Sequence, residues 1–560
     1  MTASDALNGL DEQQRLVATT WDEPLCVLAG AGTGKTRALT HRIAYGVAEG
    51  KYEAENVLAL TFTAKAAGEM GSRLRGLGVR GVAARTFHSA ALRQLQHFWP
   101  TVTGGYLPDI LPSKAGVIAK ALDSLHLKLD TATLRDIASE IEWRKIHGLT
   151  IEQYHHARAS RIGGLPGGLS LEALGRIHER YEVLKDEASR IDFEDVLLAM
   201  VGMLEDDKRI LEKVRAQYSA ILVDEYQDVS PLQQRLLDLW VGEKEDLVVV
   251  GDASQTIYTF AGASSRYLLD FPTRYPTAHV VKLERNYRST PEIVHAANSV
   301  VMGKPGALSL KPVTQAGAPL RRHIASTDQA EAHFVATMIA TKIESGVSPD
   351  DIAVLMRFGA QSLACEKALA QRGVSYRVRG ATPFFDESHN KRAVMEIRGA
   401  AVAGVTGELI TVVEDILFGL GLSTPGPDHQ GAERSRYEDL VALRELVRSQ
   451  PAGMTLREFS TVLGDKSVAG DAPSVGAVTL TTVHSAKGRE WPLVFMIGLA
   501  EGQFPISYAT SEDAIEEERR LFYVGVTRAR DELVLSMAER AKEGFGMRQM
   551  SRFLEALGRP

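Results

Sequence analysis

Two short segments of the sequence carry the residue types that bind a triphosphate and activate water against it. The first is a loop of small residues after the apolar run Leu25–Leu28. Its residues are Ala29, Gly30, Ala31, Gly32, Thr33 and Gly34, followed by Lys35 and Thr36. Small residues let backbone N–H groups approach phosphate oxygens, while a lysine reaches the β and γ phosphates and a hydroxyl ligates Mg²⁺. Ala29 stands where the strict pattern has glycine, and the remaining pattern predicts a site for ATP and Mg²⁺.

The second segment is the acid pair Asp224-Glu225, which also follows an apolar run. Asp224 can hold the Mg²⁺ shell, and Glu225 can orient and polarise the attacking water. Charge that develops on the transferred phosphoryl group needs cations besides Lys35, and arginine suits this role because it is always charged and forks onto oxygens. Arg288 and Arg528 are the candidates. An acid pair alone is often part of a solvated turn, and a single arginine is often a surface ion-pair residue. The prediction of an ATP-hydrolysing site therefore depends on the combination of the phosphate loop, the acid pair and the arginines.

The elements that must position these residues alternate between strands and helices. Short apolar or β-branched runs end in loops of Gly, Asp, Thr or Ser and are followed by helical stretches, which is typical of parallel α/β sheets. The strand-like runs are Leu25–Leu28, Val57–Phe62, Ala220–Val223 and Leu247–Val250, and after Pro276 they are His279–Leu283, Ile352–Met356, Ser375–Val378, Val478–Thr482, Leu493–Ile497 and Glu532–Ser536. The predicted fold class is α/β, with the first four runs in one doubly wound sheet and the later ones in a second.

Two long stretches without strand signals, 92–189 and 387–475, interrupt these sheets. The second stretch contains helix-like segments at Glu408–Phe418 and Arg434–Arg448 around the loop Ser423–Asp428. We interpret both stretches as helical insertions, which agrees with the roughly three or four domains that the length favours. The predicted domains are 1–91 with 190–276 (first sheet), 92–189 (its insertion), 277–386 with 476–560 (second sheet) and 387–475 (a reduced insertion).

The composition limits the classes of partner and compartment. A net charge of −7 argues against a general positive field, so any nucleic-acid track must be local. Cys26 and Cys365 offer neither a disulfide framework nor a cysteine-rich zinc site, and two buried thiols in a reducing cytoplasm fit this usage. The first residues do not resemble an export signal, and no segment approaches the apolar length of a membrane span.

Nine segments in chain order carry a further signal: Leu10–Gln14, Ala29–Thr36, Thr61–Ala67, Thr86–Ser89, Val223–Asp228, Gly251–Tyr258, Leu283–Thr290, Thr482–Glu490 and Glu517–Arg530. They resemble the motif series of the UvrD/PcrA/Rep family of superfamily 1A DNA helicases, from about Leu10 to Leu535. Single motifs are degenerate, but this many in order and at compatible spacing are specific.

The resemblance implies two RecA-like P-loop domains, each with a helical insertion, and ATP bound between them. Hydrolysis is then assigned to Lys35, Asp224, Glu225, Gln255, Arg288 and Arg528, with Thr36 and Asp224 on the metal. Further nucleotide contacts fall on Gln14, Arg37, Tyr287 and Glu490, where Gln14 matches the glutamine that reads adenine and Tyr287 the aromatic that stacks on it. Gln255 matches the residue that links the γ-phosphate to the DNA track.

The resemblance also implies a 3′-to-5′ motor on single-stranded DNA, with a 3′-tailed duplex as its substrate and a role in repair or replication. The positions that match DNA contacts are Phe62, Thr63, His88, Tyr258, Phe260 and His484. Aromatic side chains give sequence tolerance, because every base has a π face. For Phe62, ordinary core packing is an equally good interpretation. Such a protein would work in the cytoplasm at the nucleoid, with a repair protein as partner.

The chain departs from the family pattern in three places. Family members usually carry a basic residue after the aromatic of the third motif, whereas this chain has Phe260-Ala261-Gly262. The second insertion is small, as in the second UvrD-like helicases of actinobacteria, whose Glu140–Trp143 segment also looks similar. Those relatives carry a C-terminal nucleic-acid-binding domain, which we do not expect here. Unwinding could therefore be weak or depend on a partner.

Other functions remain open from the residues alone. A P-loop ATPase or kinase without a nucleic-acid role would need only Lys35, Asp224 and Glu225, and single-stranded DNA would not stimulate it. A module that grips single strands would use ATP only to change its grip. A translocase that strips proteins from DNA would keep the motor and lose the unwinding. RNA as the track and a nuclease role are less favoured.

Overall fold

The computed structural model describes residues 2–159, 164–244, 246–379, 384–422, 431–451, 453–469, 476–542 and 546–557. The chain forms two compact units. The first contains Met1–Leu28 and Lys35–Lys282, and the second contains Ala29–Gly34 and Leu283–Pro560. Within the described residues, no helix has the length and apolar character required to cross a membrane.

A six-stranded sheet forms the centre of the first unit. The strands of this unit are β1 (Leu25–Ala29), β2 (Val57–Thr61), β3 (Ala83–Thr86), β4 (Asp109–Ile110), β5 (Arg190–Ile191), β6 (Ala220–Val223), β7 (Leu247–Gly251) and β8 (His279–Leu283). The order in the sheet is β3-β2-β6-β7-β1-β8, and β4 pairs with β5 apart from it. The ladders from β3 to β1 are parallel, with Val57 opposite Ala220 and Leu25 opposite Val248.

The strands of this sheet confirm the four predicted runs and correct one assignment. Strands β1, β2, β6 and β7 are almost wholly buried, as expected for a parallel sheet covered on both faces. The prediction that His279–Leu283 belongs to the second sheet is wrong, because β8 is the edge strand of the first. Local sequence marks a strand but does not determine which sheet it joins.

Fourteen helices accompany these strands in the described part of the unit. They are α1 (Ala3–Ala6), α2 (Glu12–Thr19), α3 (Lys35–Ala48), α4 (Ala64–Gly76), α5 (Phe87–Thr103), α6 (Ala115–Ser124), α7 (Thr131–Ile146), α8 (Ile151–Ala159), α9 (Leu171–Glu187), α10 (Phe193–Asp206), α11 (Lys208–Gln217), α12 (Pro231–Val241), α13 (Arg266–Leu269) and α14 (Phe271–Arg274). Helix α5 begins at a capping box between Thr86 and Ser89 and ends at Gly104, whose φ of 71° is the left-handed value a C-terminal cap favours.

The helices between β4 and β5 have a core of their own. Ile118, Ile141, Ile177 and Tyr181 are among its buried side chains. A second core, which includes Trp240, packs against the main sheet. The stretch is therefore a helical module attached to the sheet, although the limits given above for all four domains stay predictions.

The second unit contains another six-stranded sheet. The strands of this unit are β9 (Arg285–Asn286), β10 (Lys311–Pro312), β11 (Arg321–Ala325), β12 (Ile352–Met356), β13 (Tyr376–Arg379), β14 (Val478–Thr482), β15 (Trp491–Met496) and β16 (Ala529–Ala538). The order is β11-β16-β15-β12-β14-β13, and all its ladders are parallel. The fold class is thus α/β with parallel sheets in two domains, as predicted.

Nine helices lie in the described part of this unit. They are α15 (Pro291–Val301), α16 (Asp328–Glu344), α17 (Ser362–Gln371), α18 (Ser388–Val402), α19 (Leu409–Gly419), α20 (Gly431–Arg448), α21 (Leu456–Ala469), α22 (Glu512–Val526) and α23 (Arg552–Glu555). Helices α18 to α21 share a core around Ile397, Leu443 and Phe459. The predicted helices at Glu408–Phe418 and Arg434–Arg448 correspond to α19 and α20, and the predicted loop Ser423–Asp428 lies outside the described residues.

Candidate nucleotide and nucleic-acid sites

Lysine, threonine and two carboxylates meet in the first unit at the end of β6. Helix α3 begins at Lys35. The Thr36 hydroxyl donates to Asp224 Oδ2 at 2.8 Å, and Lys35 Nζ lies 3.8 Å from Glu225 Oε1. Segments nearly 190 positions apart in the chain are therefore brought together in the arrangement that the sequence predicts.

The electrostatics of Asp224 suit a cation. Burial, followed by the neighbouring Glu225 carboxylate, raises the pKa of Asp224 to about 6, while Lys35 and Thr36 offset part of this effect. A hydroxyl and a carboxylate are hard oxygen ligands of the kind that Mg²⁺ prefers. A buried carboxylate with a raised pKa is poorly solvated, so a divalent ion would stabilise its charged form. The residues present therefore fit Mg²⁺.

Glu225 is held in an unusual backbone conformation. Its φ of 54° and ψ of 40° are left-handed, which costs free energy for a residue with a side chain and is concentrated at functional sites. Gln227 Nε2 donates to Glu225 Oε2, and Gln227 Oε1 accepts from the Asp252 amide at 3.0 Å. Gln255 Nε2 in turn donates to Asp252 Oδ2 at 2.7 Å.

A chain of hydrogen bonds thus connects the predicted water-activating Glu225 to the predicted Gln255. Sequence reasoning missed the two linking residues, Gln227 and Asp252. Both stand inside motifs that the resemblance matched, and this was the signal that could have identified them.

Gln14 and Arg37 occupy another part of the same unit. The Gln14 amide N–H donates to Asp11 Oδ1 at 2.7 Å, and the Gln14 side chain accepts from the Asp11 amide at 3.3 Å. This capping box begins α2 and fixes the Gln14 side chain. Arg37 Nη2 donates to the Gly9 carbonyl at 3.0 Å. Both candidate nucleotide residues are therefore anchored next to the same short N-terminal segment.

The phosphate-loop backbone is grouped with the second unit. Asn286 Nδ2 donates to the Ala31 carbonyl at 2.7 Å, and the Tyr287 amide donates to the Gly32 carbonyl at 2.9 Å. A Cβ atom at Gly32, where φ is 69°, would lie 2.7 Å from both Asn286 Nδ2 and Arg288 Cβ. Ala29, in contrast, is the last residue of β1 and does not have a positive φ. Alanine is therefore tolerated at position 29, while position 32 requires glycine.

The two predicted arginines converge on one residue of the second unit. Arg288 Nη1 donates to the Thr527 carbonyl at 3.3 Å, and Arg528 Nη2 donates to the Thr527 hydroxyl at 3.0 Å. Arg288 Nε also lies 2.5 Å from Glu490 Oε2. The structure therefore brings together Arg288, Arg528 and Glu490.

Arg528 and Tyr287 differ in exposure. Arg528 is only 2% exposed, and its guanidinium also donates to the carbonyls of Val524 and Arg489 at 2.9 and 3.0 Å. The Tyr287 ring is 43% exposed, as a ring that stacks on a base would need to be. Arg285 lies over that ring, with its guanidinium carbon 5.9 Å from the centroid.

Three of the predicted DNA-contacting rings form a surface cluster in the first unit. Phe62 and Tyr258 are stacked with their centroids 5.4 Å apart, and Phe260 meets Tyr258 edge-on at 6.0 Å. Phe62 is 38% and Phe260 61% exposed. Core packing therefore does not explain Phe62. Thr63 caps α4 by accepting from the Ala66 amide at 3.1 Å, a structural role that the prediction did not include.

A second aromatic pair combines His88 with a residue that the sequence did not suggest. The His88 and Phe193 rings are parallel, with centroids 3.9 Å apart, and Phe193 is 52% exposed. Burial, followed by the charge of Lys114, lowers the pKa of His88 to about 4, so the imidazole is neutral near pH 7. Phe193 is the first residue of α10, and nothing local in the sequence distinguishes it from a core aromatic.

His484, the remaining predicted DNA contact, lies in the second unit directly after β14. Its pKa is lowered to about 4, first by burial and then by Arg357 and Lys487. It is therefore also neutral near pH 7 and can serve as a ring or a hydrogen-bonding group.

Comparison with known proteins identifies the family of this chain. Residues 10–276 match the UvrD/REP helicase N-terminal domain, and residues 281–400 and 435–540 match the UvrD-like helicase C-terminal domain. The ATP-dependent DNA helicase UvrD2 of Mycobacterium tuberculosis is 44% identical over 99% of this chain and 82% of its own length. The ATP-dependent DNA helicase PcrA of Bacillus subtilis and the DNA helicase II of Escherichia coli are each 29% identical over 96% of this chain, and over 84% and 86% of their own lengths. The chain belongs to the UvrD/REP helicase family.

Proposed function

We propose that this protein is an ATP-dependent DNA helicase that moves 3′ to 5′ along single-stranded DNA. The observation that carries the proposal is the hydrogen-bonded chain from Glu225 through Gln227 and Asp252 to Gln255. Gln255 stands three residues before Tyr258 of the exposed aromatic cluster. A group that activates water is thereby connected to a surface suited to unpaired bases.

Each residue has a defined part in the proposed reaction. Lys35 holds the β and γ phosphates, while Thr36 and Asp224 hold Mg²⁺, which supplies charge neutralisation of the phosphate chain when bound. Glu225 orients and polarises the attacking water. Arg288 and Arg528 stabilise the charge on the transferred phosphoryl group, and both are already oriented by Thr527.

The nucleotide base and the DNA strand use other residues. Gln14 and Tyr287 contact the adenine, while Arg37 and Glu490 complete the nucleotide site. Single-stranded DNA lies on the rings of the first unit and on His484 of the second. A 3′-tailed duplex is the proposed substrate, in repair or replication at the nucleoid, with a repair protein as a partner.

Strand displacement on duplexes with a 3′ tail, a 5′ tail or no tail tests the proposal, with DNA-stimulated ATPase measured in the same samples. Unwinding of the 3′-tailed duplex alone supports it. Stimulated hydrolysis without displacement would instead favour the translocase that strips proteins from DNA. Hydrolysis that DNA does not stimulate would favour a P-loop ATPase or kinase without a nucleic-acid role.

A further inference from the structure

Three arginines come together beside the edge strand β13 of the second sheet. Arg377 and Arg379 alternate along β13 and therefore share one of its faces. Arg489 lies between β14 and β15. The positive charges of Arg377 and Arg489 act on Arg379, and that of Arg377 acts on Arg489, so the three side chains are neighbours. The side chains of these three arginines have no role in the nucleotide site proposed above.

Two of these guanidinium groups have no partner in the described part of the chain. Arg377 Nη2 donates to Asp350 Oδ1 at 3.0 Å. Among the described residues, the guanidinium groups of Arg379 and Arg489 make neither a hydrogen bond nor an ion pair, although both side chains are partly buried. A partly buried charge without a partner is unfavourable, because it has lost water and gained no compensating bond.

The surrounding charges leave this site cationic. Burial, followed by the charges of Arg377 and Arg489, lowers the pKa of Arg379 to about 9, while Asp439 and Asp350 oppose this only in part. Asp350 is already bonded to Arg377. Asp439 is engaged at Oδ2 by His389 at 2.9 Å and by Asn390 at 3.0 Å. Asp350 and Asp439 are therefore occupied, and the third acid nearby, Glu438, acts on Arg377. An anion is the missing partner of Arg379 and Arg489.

The chemistry of the cluster selects a phosphate. Guanidinium groups fork onto phosphate oxygens through paired N–H donors, which a single ammonium cannot do. The side chains proposed to face DNA in the first unit are rings and the Thr63 hydroxyl, none of them a cation near pH 7, and Ala261 stands where family members usually carry a basic residue. Backbone phosphates nevertheless supply much of the affinity for nucleic acid, so cations must contact them elsewhere.

We propose that Arg379 and Arg489 bind one backbone phosphate of the DNA strand, with Arg377 contributing to the local positive potential. This inference rests on the proposed function, because DNA is the source of the phosphate. Arg489 connects this phosphate site to the proposed nucleotide site, because the Arg489 carbonyl accepts a hydrogen bond from Arg528 at 3.0 Å. A phosphate on the Arg489 side chain would thus hold the same residue that orients Arg528.

The test compares the salt dependence of oligo(dT) binding in the full chain and in single variants. Loss of one phosphate contact to a single strand should reduce the magnitude of the negative slope of log K against log salt by about 0.7. We expect this change in both Arg379→Ala and Arg489→Leu, and the same change with oligo(dA), because a backbone contact does not depend on the base. Arg379→Lys retains a charge and should recover part of the slope.

A matched control removes the same charge outside the cluster. Arg372→Ala lies at the exposed end of α17, before the start of β13, and its slope should equal that of the wild type. Melting temperature separates binding from a structural role. Because the guanidinium groups of Arg379 and Arg489 make no hydrogen bond or ion pair among the described residues, their removal should not lower the melting temperature.

The outcomes separate the inference from the function on which it rests. Wild-type protein that fails to bind oligo(dT) would overturn both. Wild-type binding with unchanged slopes in Arg379→Ala and Arg489→Leu would overturn the inference alone. A weakened affinity of Arg379→Ala for ATP without DNA, combined with an unchanged slope, would identify the nucleotide as the source of the phosphate and also overturn it.

Discussion

The two units differ in the charge they contribute to the candidate sites and in how far that charge is already compensated. In the first unit, Asp224 and Glu225 are each engaged by a cation or a hydrogen-bond donor. In the second, each nitrogen of the Arg528 guanidinium donates to a carbonyl or hydroxyl oxygen, whereas the guanidinium groups of Arg379 and Arg489 have no acceptor among the described residues. Compensated groups are positioned for a reaction, whereas uncompensated ones indicate a ligand.

The largest effect is expected from Glu225→Gln in the first unit. The amide keeps the shape of the side chain but cannot take a proton from water, so ATP turnover should fall about 100-fold or more while ATP remains bound. A DNA-stimulated ATPase assay measures the turnover, and a nucleotide-binding assay measures whether ATP remains bound. Glu69→Gln, on the exposed face of α4, is the control and should be active. Turnover near the wild-type value would exclude Glu225 as the activating group.

The next effect concerns the second unit, where Arg528→Ala should lower kcat about 100- to 1,000-fold, as loss of one preorganised donor does. DNA binding should largely survive, because Arg528 is buried and its bonds are to backbone carbonyls and Thr527. The exposed Arg530→Ala is the matched control and should leave kcat almost unchanged. Equal losses in both variants would show that net charge, rather than position, matters here.

As the pH falls, Asp224 of the first unit should be protonated before His484 of the second. The pKa of Asp224 is about 6, so its carboxylate becomes protonated as the pH falls through 6, and kcat/KM for ATP should fall by up to about tenfold per unit below that value. His88 and His484, with pKa values of about 4, keep their charge state over this range. The measurement is kcat/KM from about pH 7.5 to about pH 5.5, with circular dichroism to verify folding; a flat profile contradicts the prediction.

The same pKa has a consequence of opposite sign for stability. The pKa of Asp224 in the folded chain lies above the ordinary 3.8, so the folded state binds more protons between about pH 4 and pH 6. Without metal, this carboxyl group should therefore lower the free energy of unfolding as the pH rises through that window. Asp224→Asn should remove this contribution.

The smallest effect is expected from Phe193→Ala. This variant separates the contribution of base stacking to DNA binding from that of phosphate contacts. Loss of one stacking ring should weaken single-stranded DNA binding by about 1–3 kcal/mol and leave the salt slope unchanged. Tyr106→Ala removes a ring that is 96% exposed in the same unit and should leave affinity unchanged. A changed slope in Phe193→Ala would mean that the residue acts through a phosphate contact.

Hydrophobic runs predicted the buried strands well, because such strands have few alternatives to burial on both faces. β3 (Ala83–Thr86) and β11 (Arg321–Ala325) were missed, since both are edge strands that are only partly buried and include polar or charged residues, so they do not present an apolar pattern. The position of β8 could not be inferred either, because pairing with β1 depends on contacts distant in sequence.

The candidate site was predictable where the functional residues are adjacent in the sequence. Lys35-Thr36 and Asp224-Glu225 are of this kind, and their proximity followed from the parallel sheet. Phe193 was not predictable, because its significance comes from a ring 105 positions earlier, His88. The arginine cluster was missed for the same reason.

The phosphate loop also limits how this sequence can vary over generations. Position 29 is the end of a strand with ordinary dihedral angles, so a lineage can exchange glycine and alanine there without loss. At position 32, any methyl group would displace the Asn286 amide and the Arg288 side chain together. Drift at the first position is therefore neutral, whereas a substitution at Gly32 needs compensating changes at two other sites before selection can retain it.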